Sequence, residues 1–239
     1  MLDATAPEPP PTPVQPGKPL GECGKSVVPQ GRVIGGTDAL HGSWPWQVGL
    51  WAYRGDYDTR FFCGGSLIRP DWVLTAAHCI SDKLQVTDYR VRVGTGIAFT
   101  LMAQNRSAMR PKSSSIHRWG KVEHPGGSYH KLQQAQLPLV SNAECSAKVA
   151  ASPVAGRLNI TQQMVCAGDL DPSDMQGGCH GDSGGPFVCK DSTSGKFVLE
   201  GAVSWGSSNC NFVQQNKQYT VFARVSEFRD WIDQQIALN

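Results

Sequence analysis

The pattern of apolar and polar positions divides the chain into two textures. Residues 1–20 hold seven prolines, with Pro9, Pro10 and Pro11 in succession. Proline fixes φ and removes an amide donor, so this segment favours extended polyproline II and nucleates neither helix nor sheet. It reads as a linker or the remnant of a propeptide. From residue 33 onward, short apolar runs alternate with clusters of Gly, Pro, Asn and Ser. Trp46–Leu50, Tyr89–Val93 and Val198–Val203 carry the two-residue period of half-buried strands. Runs of this kind at this spacing predict an all-β barrel or sandwich. The period changes only at the C-terminus. Phe228, Trp231, Ile232 and Ile236 recur at i, i+3, i+4 and i+8, which predicts a terminal helix packing that face on the β-structure. No internal repeat is present.

Composition narrows the function classes. Apolar residues make up 40% of the 239 and charged residues 18%, enough for a core and too little charge for a disordered chain. The net charge is +2 and the basic residues are scattered, so neither nucleic acid nor a membrane surface is expected as a partner. No apolar stretch is long enough to span a bilayer. The eight cysteines form no CxxC pair and no Cys/His cluster at zinc spacing, so no metal and no cofactor is expected. Dispersed cysteines in even number predict disulfides and a secreted, extracellular protein. Sequons at Asn105 and Asn159 agree with that compartment. Met1–Pro7 carries no apolar leader region, so a signal peptide would have to lie outside these 239 residues.

Three strings carry chemistry. The first is Gly181-Asp182-Ser183-Gly184-Gly185-Pro186. A serine hydroxyl becomes a useful nucleophile only when a base takes its proton and donors stabilise the oxyanion. Glycines on both sides permit the tight turn that aims two N–H groups at one point. The second is Leu74-Thr75-Ala76-Ala77-His78-Cys79, after the β-like run Trp72–Leu74. Cys63 stands sixteen residues before Cys79, a spacing that can close a disulfide loop around His78, the candidate general base. The third is Gly31-Arg32-Val33-Ile34-Gly35-Gly36. Cleavage after Arg32 would free a charged amino group at Val33, and a buried ammonium needs a carboxylate, for which Asp182 is the candidate.

Together these strings resemble the chymotrypsin-fold serine protease zymogens, over residues 23–96 and 118–239. The resemblance implies two six-stranded antiparallel β-barrels followed by a C-terminal α-helix. Residues 1–32 would be the proline-rich segment and activation peptide, and 33–239 the protease domain. Within that domain, 33–117 would form a truncated first barrel, and 118–239 the second barrel and the helix. Ser183 would be nucleophile and His78 general base, with the N–H groups of Gly181 and Ser183 as oxyanion hole. Ser204, Trp205 and Gly206 resemble the strand that pairs with substrate backbone. Insertion of Val33 against Asp182 would order the site after a trypsin-like protease cuts at Arg32. The implied disulfides are Cys63–Cys79, Cys145–Cys166 and Cys179–Cys210.

The resemblance also implies a specificity. Gly177 stands six before the nucleophile, where a trypsin-like pocket would need an aspartate to bind Lys or Arg. Gly206 leaves one wall open, and Thr220 stands where chymotrypsins have glycine, as in elastases. Small to medium apolar side chains are therefore expected before the scissile bond.

One part of the pattern is missing. Between His78 and Trp119 the only acidic residues are Asp82 and Asp88, and neither lies in a run resembling the family's triad aspartate. The stretch from Ile97 to His117 is atypical and runs straight into Trp119-Gly120-Lys121, a run matching the second barrel. His78 and Ser183 are closer in sequence than in the family. Cys23 and Cys189 are left over, because their family partners would lie in the absent segment. One deletion explains all three departures. The expectation is an elastase-like secreted endopeptidase by lineage, monomeric, acting on protein or peptide substrates, with catalysis impaired in this chain. The alternative is a pseudoprotease that binds through the remaining cleft.

Overall fold

The structure is a computed structural model that describes residues 22–26, 37–40, 42–53, 59–93, 114–118, 132–151, 158–168, 178, 181–206 and 219–239. Twelve strands and two α-helices are defined among them. In chain order these are β1 (Thr37–Asp38), β2 (Gln47–Tyr53), β3 (Thr59–Arg69), β4 (Trp72–Leu74), β5 (Tyr89–Val93), β6 (Ser114–Arg118), β7 (Gln133–Gln136) and β8 (Leu139–Val140). Helix α1 (Asn142–Ala150) is followed by β9 (Met164–Ala167), β10 (Pro186–Lys190), β11 (Phe197–Gly206), β12 (Thr220–Arg224) and α2 (Arg229–Leu238). All strand pairs are antiparallel. The predicted all-β class is therefore correct, and the three alternating runs fall in β2, β5 and β11, with Trp46 just ahead of β2.

The strands form two sheets. One has four strands in the order β4-β3-β2-β5, and the other has eight in the order β1-β7-β6-β10-β11-β12-β9-β8. This is the all-β double-barrel architecture of the chymotrypsin type. Among the described residues the four-stranded sheet is open, with β4 and β5 at its edges.

Side-chain alternation explains how the sheets find their cores. In the four-stranded sheet Val48, Leu50, Cys63, Val73, Ala76, Cys79 and Val91 are buried together. In the larger sheet β10 reads buried at Pro186, Phe187, Val188 and Cys189, because both of its faces are covered. Phe187 and Cys189 enter a core with Val165, Val203 and Phe222. Val188, pointing the other way, joins Trp44 and Leu132. Phe187 and Phe222 are fully buried and stack with centroids 4.2 Å apart.

The helices are placed by caps and bridges. Ser141 accepts the Glu144 N–H at 3.1 Å, an N-cap that starts α1. Cys145 and Val149, four apart on α1, are buried, and Cys145 is bonded to Cys166 on β9. On α2, Ile232 is 1% exposed but Trp231 is 49% exposed. The expected apolar face thus follows the i, i+4 row of Phe228, Ile232 and Ile236. Trp231 is rotated about 100° from Ile232 and falls on the flank. No helix among the described residues is long and apolar enough to cross a membrane.

Candidate active site

Ser183 lies in the turn between the eight-stranded sheet's β9 and β10. Three backbone hydrogen bonds pin it. Gly184 N–H donates to Val203 O at 2.7 Å, Val203 N–H to Gly185 O at 3.0 Å, and Gly185 N–H to Asp182 O at 2.9 Å. Val203 precedes a register shift in the β11–β12 ladder, between Val203 and Trp205. A bulge there re-aims Ser204 beside the turn. Gly181 has φ +100° and Gly184 has φ +78°, backbone that a side chain makes costly. Among the described residues no hydrogen bond uses the N–H of Gly181 or of Ser183, so both donors are open there. Asp182, between them, is 1% exposed.

His78 sits on a single 3-10 turn, Ala77–Cys79, just after β4. Cys79 is bonded to Cys63 on β3, with the Cα atoms 6.1 Å apart. Its N–H also donates to Ala76 O at 3.0 Å. The histidine is exposed while both of its anchors are buried.

The two segments meet on one residue, Gly64. Gly64 of β3 donates its N–H to Ser183 O at 2.7 Å, and its carbonyl accepts the Thr75 hydroxyl at 2.8 Å. Glycine is required on both sides of this contact. A Cβ on Gly184 would lie 2.0 Å from Thr75 Oγ1 and 2.5 Å from Gly64 O. A Cβ on Gly64 would lie 2.9 Å from Gly185 Cα. The serine turn and the segment leading into the histidine turn are therefore set together at Gly64, through its backbone and the Thr75 hydroxyl. Gly64 and Thr75 are not among the residues expected from sequence, and the signal available was the adjacent pair Gly64-Gly65 one residue after Cys63.

No carboxylate completes the arrangement among the described residues. Among the described residues His78 has neither an ion pair nor a hydrogen bond to an acidic side chain. The Asp88 carboxylate caps its own 3-10 turn, accepting the Gln85 N–H at 2.8 Å. Asp82 is exposed.

On the opposite side of the turn, Thr220 is 3% exposed. Its hydroxyl accepts the Gly178 N–H at 2.8 Å, and its methyl group would touch a Cβ on Gly178 at 3.0 Å. Gly206 pairs with Thr220, and Trp205 with Val221. A Cβ on Gly206 would meet nothing closer than Tyr219 O at 3.3 Å. The structure thus brings Thr220 and Gly206 together at one end of β11–β12. Arg32, Val33, Gly177, the Cys179–Cys210 bridge and Asn105 lie outside the described residues. Asn159 is exposed. Cys23 and Cys189 are both free, the first exposed and the second buried. Burial, helped by the nearby Glu200, pushes the Cys189 thiol up to about 12.

A family model described as Trypsin matches residues 33–107 and 97–232, so the match stops and restarts within 97–107. Proproteinase E of Bos taurus is 34% identical over 260 residues, covering 88% of this chain and 97% of the relative. Chymotrypsin-like elastase family member 3B of Macaca mulatta is 35% identical over 263 residues, covering 87% of this chain and 95% of the relative. Both alignments are longer than the 239-residue chain itself, so both pass positions of the relative that have no counterpart in this chain. With a matching fold, the GDSGGP turn and identity across most of its length, the chain belongs to the trypsin family of serine proteases.

Proposed function

We propose that this chain derives from an elastase-like secreted endopeptidase, and that its own hydrolytic step is impaired. In this reading Ser183 is the nucleophile and His78 its general base. The open N–H groups of Gly181 and Ser183 receive the oxyanion. Cleavage after Arg32 frees Val33 to pair with Asp182, whose burial beside the nucleophile suits that role. The contact at Gly64 is the observation that carries the reading, because it ties the serine turn to the segment that leads into His78, by one backbone bond and one from the Thr75 hydroxyl.

The pocket is shaped by Thr220. Its hydroxyl is held by the Gly178 N–H, and its methyl group lies against Gly178 and narrows the pocket. With Gly177 rather than an acid at the base, the preferred side chains are small to medium and apolar. One methylene shifts such preferences only about 10–200-fold, so a graded profile from Ala to Leu is expected. A panel of chromogenic peptides measures it directly, and a preference for Arg or Lys would overturn the pocket assignment.

The impairment follows from the imidazole. Without a carboxylate, nothing fixes the His78 tautomer or stabilises its protonated form after it takes the serine proton. In the family's own triad, exchanging the aspartate for asparagine lowers kcat about 10⁴-fold. Support comes from the interrupted family match within 97–107 and from the absence of a carboxylate partner for His78 among the described residues. The same observation favours a second reading, in which the chain retains peptide binding along Ser204, Trp205 and Gly206 without turnover. Binding of a non-hydrolysable peptide at normal affinity, with no hydrolysis of the matching substrate, would select it.

A further inference from the structure

A cavity of about 480 Å³ opens beside Cys23, walled by Trp46, Leu67, Phe197, Leu199 and Ile236. None of the residues expected at the catalytic centre lines it. The C-terminal end of β3, the β10–β11 hairpin and the last turns of α2 build it, together with Trp46 just ahead of β2. Trp46 and Phe197 face each other with centroids 5.6 Å apart, which gives the cavity an aromatic wall.

Two polar groups on this wall are unsatisfied. Ser66 is 2% exposed and lines the cavity. Its hydroxyl has no hydrogen-bond partner among the described residues. The Trp46 indole N–H, also buried, has none either. A buried donor without an acceptor is costly to keep, so the pair calls for a ligand that brings acceptor oxygens. Trp46 Nε1 can only donate. An amide carbonyl on an apolar body meets these demands.

The rim adds a third group. Cys23 lines the cavity, is exposed and is unbonded. It is held there by its neighbours: Gly24 O accepts the Phe197 N–H at 2.7 Å, and Glu22 is ion-paired with Lys25 and with Lys196. Cys63, Cys79, Cys145 and Cys166 are all in disulfides, so the chain matures where thiols are oxidised. Cys189 cannot serve Cys23 as a partner, because its side chain faces the core of Phe187 and Phe222.

We propose that this cavity is a binding site for an apolar peptide carrying a cysteine, which Cys23 captures as a mixed disulfide. The Cys23 thiolate attacks one sulfur of the incoming peptide's disulfide. A new S–S bond forms, the old one breaks, and the leaving thiolate departs with the electron pair. The proton lost from Cys23 goes to solvent, and the ligand's own disulfide is the oxidant. The apolar flank enters between Trp46, Phe197 and Leu67, and its carbonyl takes the Ser66 and Trp46 donors.

The test uses the whole chain and two short peptides, acetyl-Leu-Cys amide and acetyl-Asp-Cys amide, each supplied as its mixed disulfide with cysteamine. Both are equilibrated with the protein in a buffered thiol, and occupancy of Cys23 is read by intact mass and peptide mapping. Occupancy by the leucine peptide should exceed that by the aspartate peptide at least about tenfold, the scale of one well-filled apolar contact. Ser66→Ala, which removes the orphan hydroxyl with little change of volume, should lower the occupancy by both peptides and leave the preference between them in place. Equal occupancy by the two peptides, or faster formation of a disulfide-linked dimer of this chain, would overturn the proposal. The comparison of peptides needs no variant, so a misfolded Ser66→Ala protein would leave it decisive.

Discussion

Gly184 carries more of the site's geometry than its size suggests. At φ +78°, an alanine would add backbone strain of about 1–3 kcal/mol. Its Cβ would also press to 2.5 Å from the Gly64 carbonyl, a backbone atom that cannot swing aside. Gly184→Ala should therefore destabilise the fold by a few kcal/mol and separate the serine turn from the histidine turn. Thermal unfolding, with mechanism-based labelling of Ser183, would register both effects; an unchanged melting temperature would refute the contact. The two free thiols make a second contrast at this scale. Cys189 is buried and its folded pKa is raised from 9.0 to about 12. Its protonated form is the one the fold favours, so that contribution is complete below pH 9 and is lost as pH rises towards 12. At pH 8 iodoacetamide should alkylate Cys23 within minutes and leave Cys189 unmodified until the chain unfolds. Peptide mapping would check this.

At the scale of elements, how much the residues disclosed depends on the range of the interaction. β5 matches its alternating run residue for residue, because a half-buried strand writes its period locally. The Cys63–Cys79 and Cys145–Cys166 bridges were implied by family resemblance and are present. The exposure of Trp231 was hidden, since helical spacing gives a face but not how far the neighbouring sheet reaches around it. The cavity beside Cys23 was hidden for the same reason: Trp46, Phe197 and Ile236 are far apart in sequence and meet only through tertiary packing. Helix α1, by contrast, depends on a local cap. Ser141→Ala should cost about 1 kcal/mol, measurable by urea unfolding, with the Cys145–Cys166 bridge intact. The segment at Glu22 depends on charge. Lys196, and then Lys25, hold its carboxyl down to about 2 from 4.5. A depressed carboxylate pKa stabilises above pH 4.5 and loses that contribution as pH falls through 2. The segment should therefore stay docked at pH 4 and loosen near pH 2. Its ion pairs are exposed, so salt should also loosen it at neutral pH. Hydrogen exchange at Phe197, whose N–H bonds Gly24 O, would report either change.

For the molecule as a whole, the contrast lies between the two sheets. The eight-stranded sheet buries β10 on both faces and holds the serine turn, while the described four-stranded sheet ends in the open strands β4 and β5. The histidine belongs to the open sheet. The turns of Ser183 and His78 were legible because each is a continuous string, and Gly64 was not, because its role appears only when the two sheets close on it. On the proposed reading the chain keeps the nucleophile and base of a serine protease but lacks the carboxylate that orients the base. The most direct measurement is the rate at which a fluorophosphonate labels Ser183 after cleavage at Arg32, compared with an intact elastase under the same conditions. The expected result is labelling confined to Ser183, abolished by Ser183→Ala, and slower than the elastase by a factor on the order of 10³ or more. Labelling of Ser183 at the elastase's rate would contradict it.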